Sequence, residues 1–393
     1  MTLNLEHSFG GHKDKCWSVS VHEKLPLLAS VSSDKTCRVY NIKTHKLLAV
    51  LDENTHSKAI RSVAWRPNCE IPSLAMGSFD STVSIWSKDE FGEMDDEPNN
   101  LTNFSSSNNE SLVSQAAENW LLMAIIEGHE NEIKSVDWSS NGLYLATCSR
   151  DKSTWIWETD ENNEEFECIN VIQEHTQDVK HVVWHPREIL LASSSYDDTT
   201  KLFRQDPMDE DDWLCVSNLT EQDGTVWCAD FEKKIYSDNN NNNNNTDETS
   251  YNEIIRLVNC SDDGKLRIWK RVNSAGLKKR GDDDLPTTIR SESPNEEWNL
   301  ESVLPVEHTM PVYSCSWGKN GKIASVGADG NLVIYKEVQV DGKSKWEIDV
   351  IKPLAHGVFE MNCVKWWDTS DNEDDNLLLT AGDDGNVNLW SLK

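Results

Sequence analysis

Seven times along the chain an aspartate is followed six residues later by an aromatic side chain: Asp34/Tyr40, Asp80/Trp86, Asp151/Trp157, Asp197/Phe203, Asp263/Trp269, Asp329/Tyr335 and Asp384/Trp390. The interval never varies, and a fixed interval repeated this often marks a tandem structural unit. Upstream of most of these pairs stands a histidine with an aromatic nine residues on, as in His56/Trp65, His129/Trp138, His175/Trp184 and His308/Trp317. The first unit runs from His12 to Val21, the fifth has Gln222 before Phe231, and the seventh carries one extra residue between His356 and Trp366.

Between these markers short apolar runs recur, near V-x-x-V-x-W and then L-L-A-S before a tight Ser-x-Asp turn, so each unit reads as four short strands, a to d. One such sheet cannot bury both faces alone. Stacked radially between two copies it can, and seven units close a ring. The predicted fold is therefore all-β, a seven-bladed propeller spanning 1–393. Strand c of the seventh unit ends the chain, while LNLEHSF stands before the first histidine where other units have strand d. The N-terminal strand is expected to complete the last blade and close the ring.

The long inserts, at about 91–119, 237–250 and 272–295, fall between strands c and d or between a and b, which share one face of such a ring. They are polar and poor in aromatics, and one holds the run Asn239 to Asn245; they read as disordered loops. Their acid reads as solvated filler, with an acidic contact face as the alternative. The opposite face keeps short, uniform loops, and the main binding surface is expected there.

A formal charge of −31 opposes sequence-independent attraction to nucleic acid or anionic lipid. Protein partners are the better expectation, with no direct nucleic acid and no membrane. The N-terminus lacks the basic and apolar regions of a signal peptide, which points to cytoplasm and nucleus. Ten cysteines are scattered without a single C-x-x-C pair, so no disulfide framework, metal site or cofactor ligand set is spelled out. Cys148 and Cys260 sit inside apolar strand patterns and read as core. No phosphate loop, H-E-x-x-H or nucleophile elbow appears, and the expectation is a protein that is not an enzyme.

Units such as GHENEIKSVDW followed by LATCSRDKSTWIW resemble WD repeats. That resemblance implies a hydrogen-bonded network of histidine, turn aspartate, strand-c tryptophan and a strand-b Ser or Thr. It would be formed by His129, Asp151 and Trp157, by His56, Asp80 and Trp86, and by His175 with Asp197. These residues would then be structural, neither catalytic nor metal-binding. Unit five, with Gln222, should have a weakened network.

The stretches KAIRSVAWRP, GSFDSTVSIW, YLATCSRDKSTWIWETDE, HTQDVKHVVWHP and AGDDGNVNLWSL go further and resemble the WD-repeat subunit of the cytosolic iron-sulfur protein assembly (CIA) targeting complex. The resemblance spans all seven units. It implies a non-catalytic scaffold, without cofactor, that delivers clusters to cytosolic and nuclear apoproteins. Its partners would be a small CIA subunit, a large helical-repeat subunit, an upstream iron-only-hydrogenase-like protein and the client apoproteins. The alternative is an adaptor of another complex, a ubiquitin-ligase substrate receptor or histone-binding propeller.

The middle position of the Ser-x-Asp turn varies through the units as Ser33, Phe79, Arg150, Tyr196, Asp262, Ala328 and Asp383. Phe79, Arg150 and Tyr196, on three consecutive units, are the candidate partner-binding residues, since arginine and large aromatics dominate interfaces. The competing reading of Arg150 is an ion pair with an acid of its own blade.

Overall fold

The apolar runs close into strands because each run is short, rich in Val, Ile, Trp and Tyr, and bounded by turn residues. The computed structural model describes residues 1–51, 54–69, 71–88, 120–160, 163, 165–206, 208–233, 255–272, 296–340, 342–367 and 376–393. The inserts at 91–119 and 237–250, and all of 272–295 except Val272, lie outside the described residues.

Strand β1 (Leu3–Phe9) comes first. Blade one is β2 (Cys16–Val21), β3 (Leu27–Ser32), β4 (Cys37–Asn41) and β5 (Lys46–Leu51). Blade two is β6 (Ile60–Trp65), β7 (Ser73–Ser78), β8 (Thr82–Lys88) and β9 (Trp120–Glu127). Blade three is β10 (Ile133–Trp138), β11 (Tyr144–Ser149), β12 (Thr154–Thr159) and β13 (Phe166–Ile172). Blade four is β14 (Val179–Trp184), β15 (Leu191–Ser195), β16 (Thr200–Asp206) and β17 (Asp209–Leu219). Blade five is β18 (Val226–Phe231), β19 (Arg256–Ser261), β20 (Leu266–Arg271) and β21 (Trp298–Val303). Blade six is β22 (Val312–Trp317), β23 (Ile323–Gly327), β24 (Leu332–Val340) and β25 (Lys343–Lys352). The last sheet joins β26 (Met361–Trp366), β27 (Leu377–Gly382) and β28 (Val387–Leu392) to β1, in the order β1-β28-β27-β26.

The chain is thus a seven-bladed all-β propeller, and its first strand is the outer strand of its last blade. β1 runs antiparallel to β28 with Leu3 opposite Leu392 and Phe9 opposite Val387. Thr2 N–H donates to Lys393 O at 2.7 Å and Lys393 N–H returns to Thr2 O at 3.0 Å, so the ladder continues to both chain ends.

Each junction between blades has its own apolar cluster. Leu27 and Val39 of blade one pack with Ile60 and Leu74 of blade two. At the closing junction Phe9, Leu379 and Val387 meet Val19 and Tyr40. A recurring polar clasp adds direction: the fifth residue of strand a takes the backbone N–H of the next blade's aromatic. Asp137 accepts from Trp184 and Asp230 from Trp317, both at 2.8 Å. Ser20 and Ser316 do the same for Trp65 and Trp366. Ring closure therefore satisfies buried backbone donors as well as apolar surface.

Candidate functional site

The repeated histidines lie at the blade edge facing the short-loop side, and blade three gives the arrangement in full. Trp157 Nε1–H donates to Thr147 Oγ1 at 3.0 Å. The Thr147 hydroxyl donates to His129 Nε2 at 2.9 Å, and His129 Nδ1–H donates to Asp151 Oδ2 at 2.7 Å. Carboxylate, imidazole and hydroxyl in this order copy the outline of a nucleophilic triad. Yet Thr147 is fully buried and its oxygen is engaged on both sides, so no substrate atom can reach it. Burial opposes ionisation of Asp151, but the His129 and Ser153 donors prevail and hold it down at about 2. The relay rigidifies the turn.

His175, Asp197 and Ser193 repeat the relay at 2.8 and 2.6 Å, with Phe203 at the tryptophan position. Blade two departs from the family pattern. Met76 occupies the strand-b hydroxyl position, and Ser84 of strand c supplies the hydroxyl instead, 2.8 Å from His56 Nε2 and 3.1 Å from Trp86 Nε1, while His56 pairs with Asp80 at 3.2 Å. In blade five both polar atoms of the Gln222 amide lack a partner, and Arg267 pairs with Asp263 at 2.6 Å.

The variable turn position is held by the same backbone bond in every blade. Ser33, Phe79, Arg150, Tyr196, Asp262, Ala328 and Asp383 each donate their N–H to the residue that precedes strand a or lies just before it, at 2.8 to 3.0 Å. A fixed backbone carrying a side chain that the fold does not dictate makes this ring a display surface. Tyr196 is 47% exposed, Phe79 is half-buried and Arg150 is exposed. Arg150 Nη1 lies 3.3 Å from Glu132 Oε1 in its own blade, an exposed pair of small energetic weight. Lys134 sits 4.3 Å from the Phe79 ring centroid and 3.7 Å from Glu132, while Lys180 covers Tyr196 at 4.8 Å. Phe79 and Arg150 are therefore linked through Lys134 and Glu132, while Lys180 joins Tyr196 to Asp178.

Those lysines were not singled out from sequence. They occupy the second position of strand a, which reads Trp17, Arg61, Lys134, Lys180, Trp227, Tyr313 and Asn362 around the ring. In all seven blades the register shifts at this residue, a β-bulge. Bulges re-aim a side chain, and here they turn these residues toward the central channel, which they line. The available signal was chemical variety at one position between neighbours the fold holds constant.

Among the described residues no group of three or more His, Cys, Asp or Glu side chains is arranged to hold a metal ion. All ten cysteines are free thiols, and Cys148 and Cys260 are buried in apolar clusters.

The WD domain, G-beta repeat family matches residues 3–41, 45–87, 120–158, 166–204, 299–336 and 352–391. The stretch it leaves out holds the inner three strands of blade five, where Gln222 and Arg267 depart from the pattern. Over 408 residues the chain is 48% identical to the "Probable cytosolic iron-sulfur protein assembly protein 1" of Candida dubliniensis, covering 99% of this chain and 100% of that one. The protein of the same name from Candida albicans is 48% identical, with 99% and 100% covered. That of Vanderwaltozyma polyspora is 45% identical, with 100% and 99% covered. Matched end to end at this level, the chain belongs to the cytosolic iron-sulfur protein assembly protein 1 family of WD-repeat propellers.

Proposed function

We propose that this propeller is a non-catalytic adaptor of the cytosolic iron-sulfur assembly machinery, and that it works through protein contacts on its short-loop face. The observation that carries the reading is the ring of turn positions: one backbone geometry repeated seven times, carrying six different side-chain types, with Asp alone recurring, in blades five and seven. Phe79, Arg150 and Tyr196 form the partner-binding arc. Arg150 leaves its exposed pair with Glu132 at little cost and grips a partner carboxylate in two places.

On this reading the partners are a small CIA subunit, a large helical-repeat subunit, the iron-only-hydrogenase-like protein upstream and the client apoproteins, with iron-sulfur clusters as cargo. The adaptor contributes position rather than chemistry. Its rigid ring raises the local concentration of a client beside the subunits that hand over the cluster. Work on nuclear clients extends the site of action from cytoplasm to nucleus.

The test is replacement of the endogenous protein by this chain, followed by radioactive iron incorporation into cytosolic and nuclear iron-sulfur clients. Depletion should reduce incorporation, and re-expression should restore it without change in mitochondrial clients. Incorporation that is indifferent to depletion would overturn the proposal.

A further inference from the structure

Deep in the central channel Lys365 of blade seven lies within electrostatic reach of Asp137 and Asp230 of blades three and five, whereas at the mouth on the short-loop face cations and carboxylates take different sides. Blades two to four contribute Arg61, Lys134 and Lys180, and the channel they line measures about 510 Å3, enough for several side chains. Arg61 donates to Trp17 O at 3.3 Å and its guanidinium lies 4.9 Å from the Trp17 ring centroid; among the described residues no carboxylate pairs with it. Burial depresses the Lys134 ammonium, and although Glu132 opposes this, the Lys180 and Arg61 charges reinforce it. The three cations therefore crowd one another. Lys134 and Arg150 share Glu132, Lys180 pairs with Asp178 and Arg61 pairs with neither, in a chain whose net charge is −31. A half-buried cluster of like charges is stabilised by an opposite charge placed among its members.

The opposite side of the mouth is acidic and greasy. Tyr313 donates to Glu360 at 3.2 Å, and Asp383 pairs with Lys15. Beside them Val358 is 88% exposed and Phe359 47% exposed, on the loop between blades six and seven. A polyphosphate across the mouth would meet Glu360. A peptide carrying an acid at one end and an apolar side chain at the other meets its complement on both sides.

We infer that the channel mouth is a carboxylate-binding site built on Arg61, Lys134 and Lys180, and that its occupant is an acidic segment of a partner protein. An aspartate or glutamate side chain of that segment lies on Arg61, and an apolar neighbour packs over Val358 and Phe359. The seven bulges hold the strand-a side chains in place before the ligand arrives, so the site is formed in the free protein. The inference rests on the short-loop-face reading for the direction from which the segment approaches.

The test uses the purified full chain and fluorescein-labelled, C-terminally amidated hexaglutamate, with hexaglutamine as its neutral twin, read by fluorescence anisotropy. Hexaglutamate should bind at least about tenfold more tightly than hexaglutamine, with affinity falling as salt rises. Arg61→Gln should weaken it at least about tenfold, and the double variant Lys134→Gln/Lys180→Gln, whose ammonium groups lie at the partly exposed mouth, gives the same loss should Arg61→Gln fail to fold. Lys46→Gln, on an outer strand, should change nothing. Equal binding of the two peptides, or hexaglutamate binding untouched by either channel variant, would overturn the inference. So would inorganic tripolyphosphate binding the same residues more tightly than the peptide, which would make the ligand a phosphate. Because no other assembly subunit is present, a failure here is separable from a failure of the adaptor reading.

Discussion

Arg267 donates from Nη2 to Asp263 Oδ2 at 2.6 Å, at the point where the turn aspartate of each of the six other blades pairs with a histidine. The arginine reaches the aspartate from four residues ahead on strand c, while the histidine position is taken by Gln222, whose amide finds no partner. Arg267 is buried and little of the Asp263 side chain is exposed, so removing one strands a charge. Arg267→Leu should cost about 3 kcal/mol or more, read as a fall in the midpoint of urea unfolding. Gln222→Ala should cost less than about 1 kcal/mol, because no hydrogen bond is lost.

Ser84 serves two partners in blade two, accepting from Trp86 and donating to His56. Ser84→Ala leaves both groups unsatisfied in a buried setting and should cost about 1–3 kcal/mol by thermal unfolding. Met76→Ser, which restores a hydroxyl at the strand-b position, should recover part of that loss in the Ser84→Ala background.

The residue after each turn aspartate has a positive φ: Lys35, Ser81, Lys152, Asp198, Gly264, Gly330 and Gly385. Only three are glycine. Ser81→Gly, at φ 75°, should stabilise the fold by up to about 1 kcal/mol. Gly385→Ala should destabilise it, since a Cβ there would sit 2.9 Å from Asp14 O. Paired thermal melts of the two variants check both signs.

Acid should act in two stages. Burial pushes His22 down to about 4 and His185 down to about 3, and each Nδ1 accepts two backbone N–H bonds. Between pH 6.5 and 4 the unfolded chain binds protons that these folded histidines refuse, so stability falls as pH falls. The turn aspartates, with Asp151 at about 2, are depressed in the folded state; their contribution is whole above about pH 4 and is lost as pH drops toward 2. Melting temperature against pH should show the shallow first stage, and His22→Gln/His185→Gln should flatten it.

Removing residues 1–9 should leave β28 as an open edge and separate the closing cluster of Phe9, Tyr40 and Leu389. The expected result is a lower melting temperature and concentration-dependent aggregation in light scattering. A truncated chain that melts like the full one would rule out a structural role for β1.

The ring was legible in the sequence because its signals are local: an aspartate and an aromatic bracketing one hairpin, and LNLEHSF filling a missing outer strand. The relay of His129, Asp151 and Trp157 was accessible only through family resemblance, since its members lie 22 and 28 residues apart. What stayed hidden depends on neighbours in space. Ser84 and Arg267 stand four residues after their turn aspartates, where the other blades have Arg38, Trp155, Lys201, Val333 and Asn388, so no pattern singles them out. The channel residues Arg61, Lys134 and Lys180 are 46 to 119 residues apart and meet only when the blades close around the axis.

The most direct test of the adaptor account is co-purification of the other assembly subunits and clients with Arg150→Glu, beside its thermal melt. Arg150 is exposed and its ion pair among the described residues, with Glu132, is a surface pair, so the melt should stay within a few degrees of wild type. Capture should fall at least about tenfold, with smaller losses for Phe79→Ala and Tyr196→Ala. Capture equal to wild type in a protein that melts normally would contradict the account.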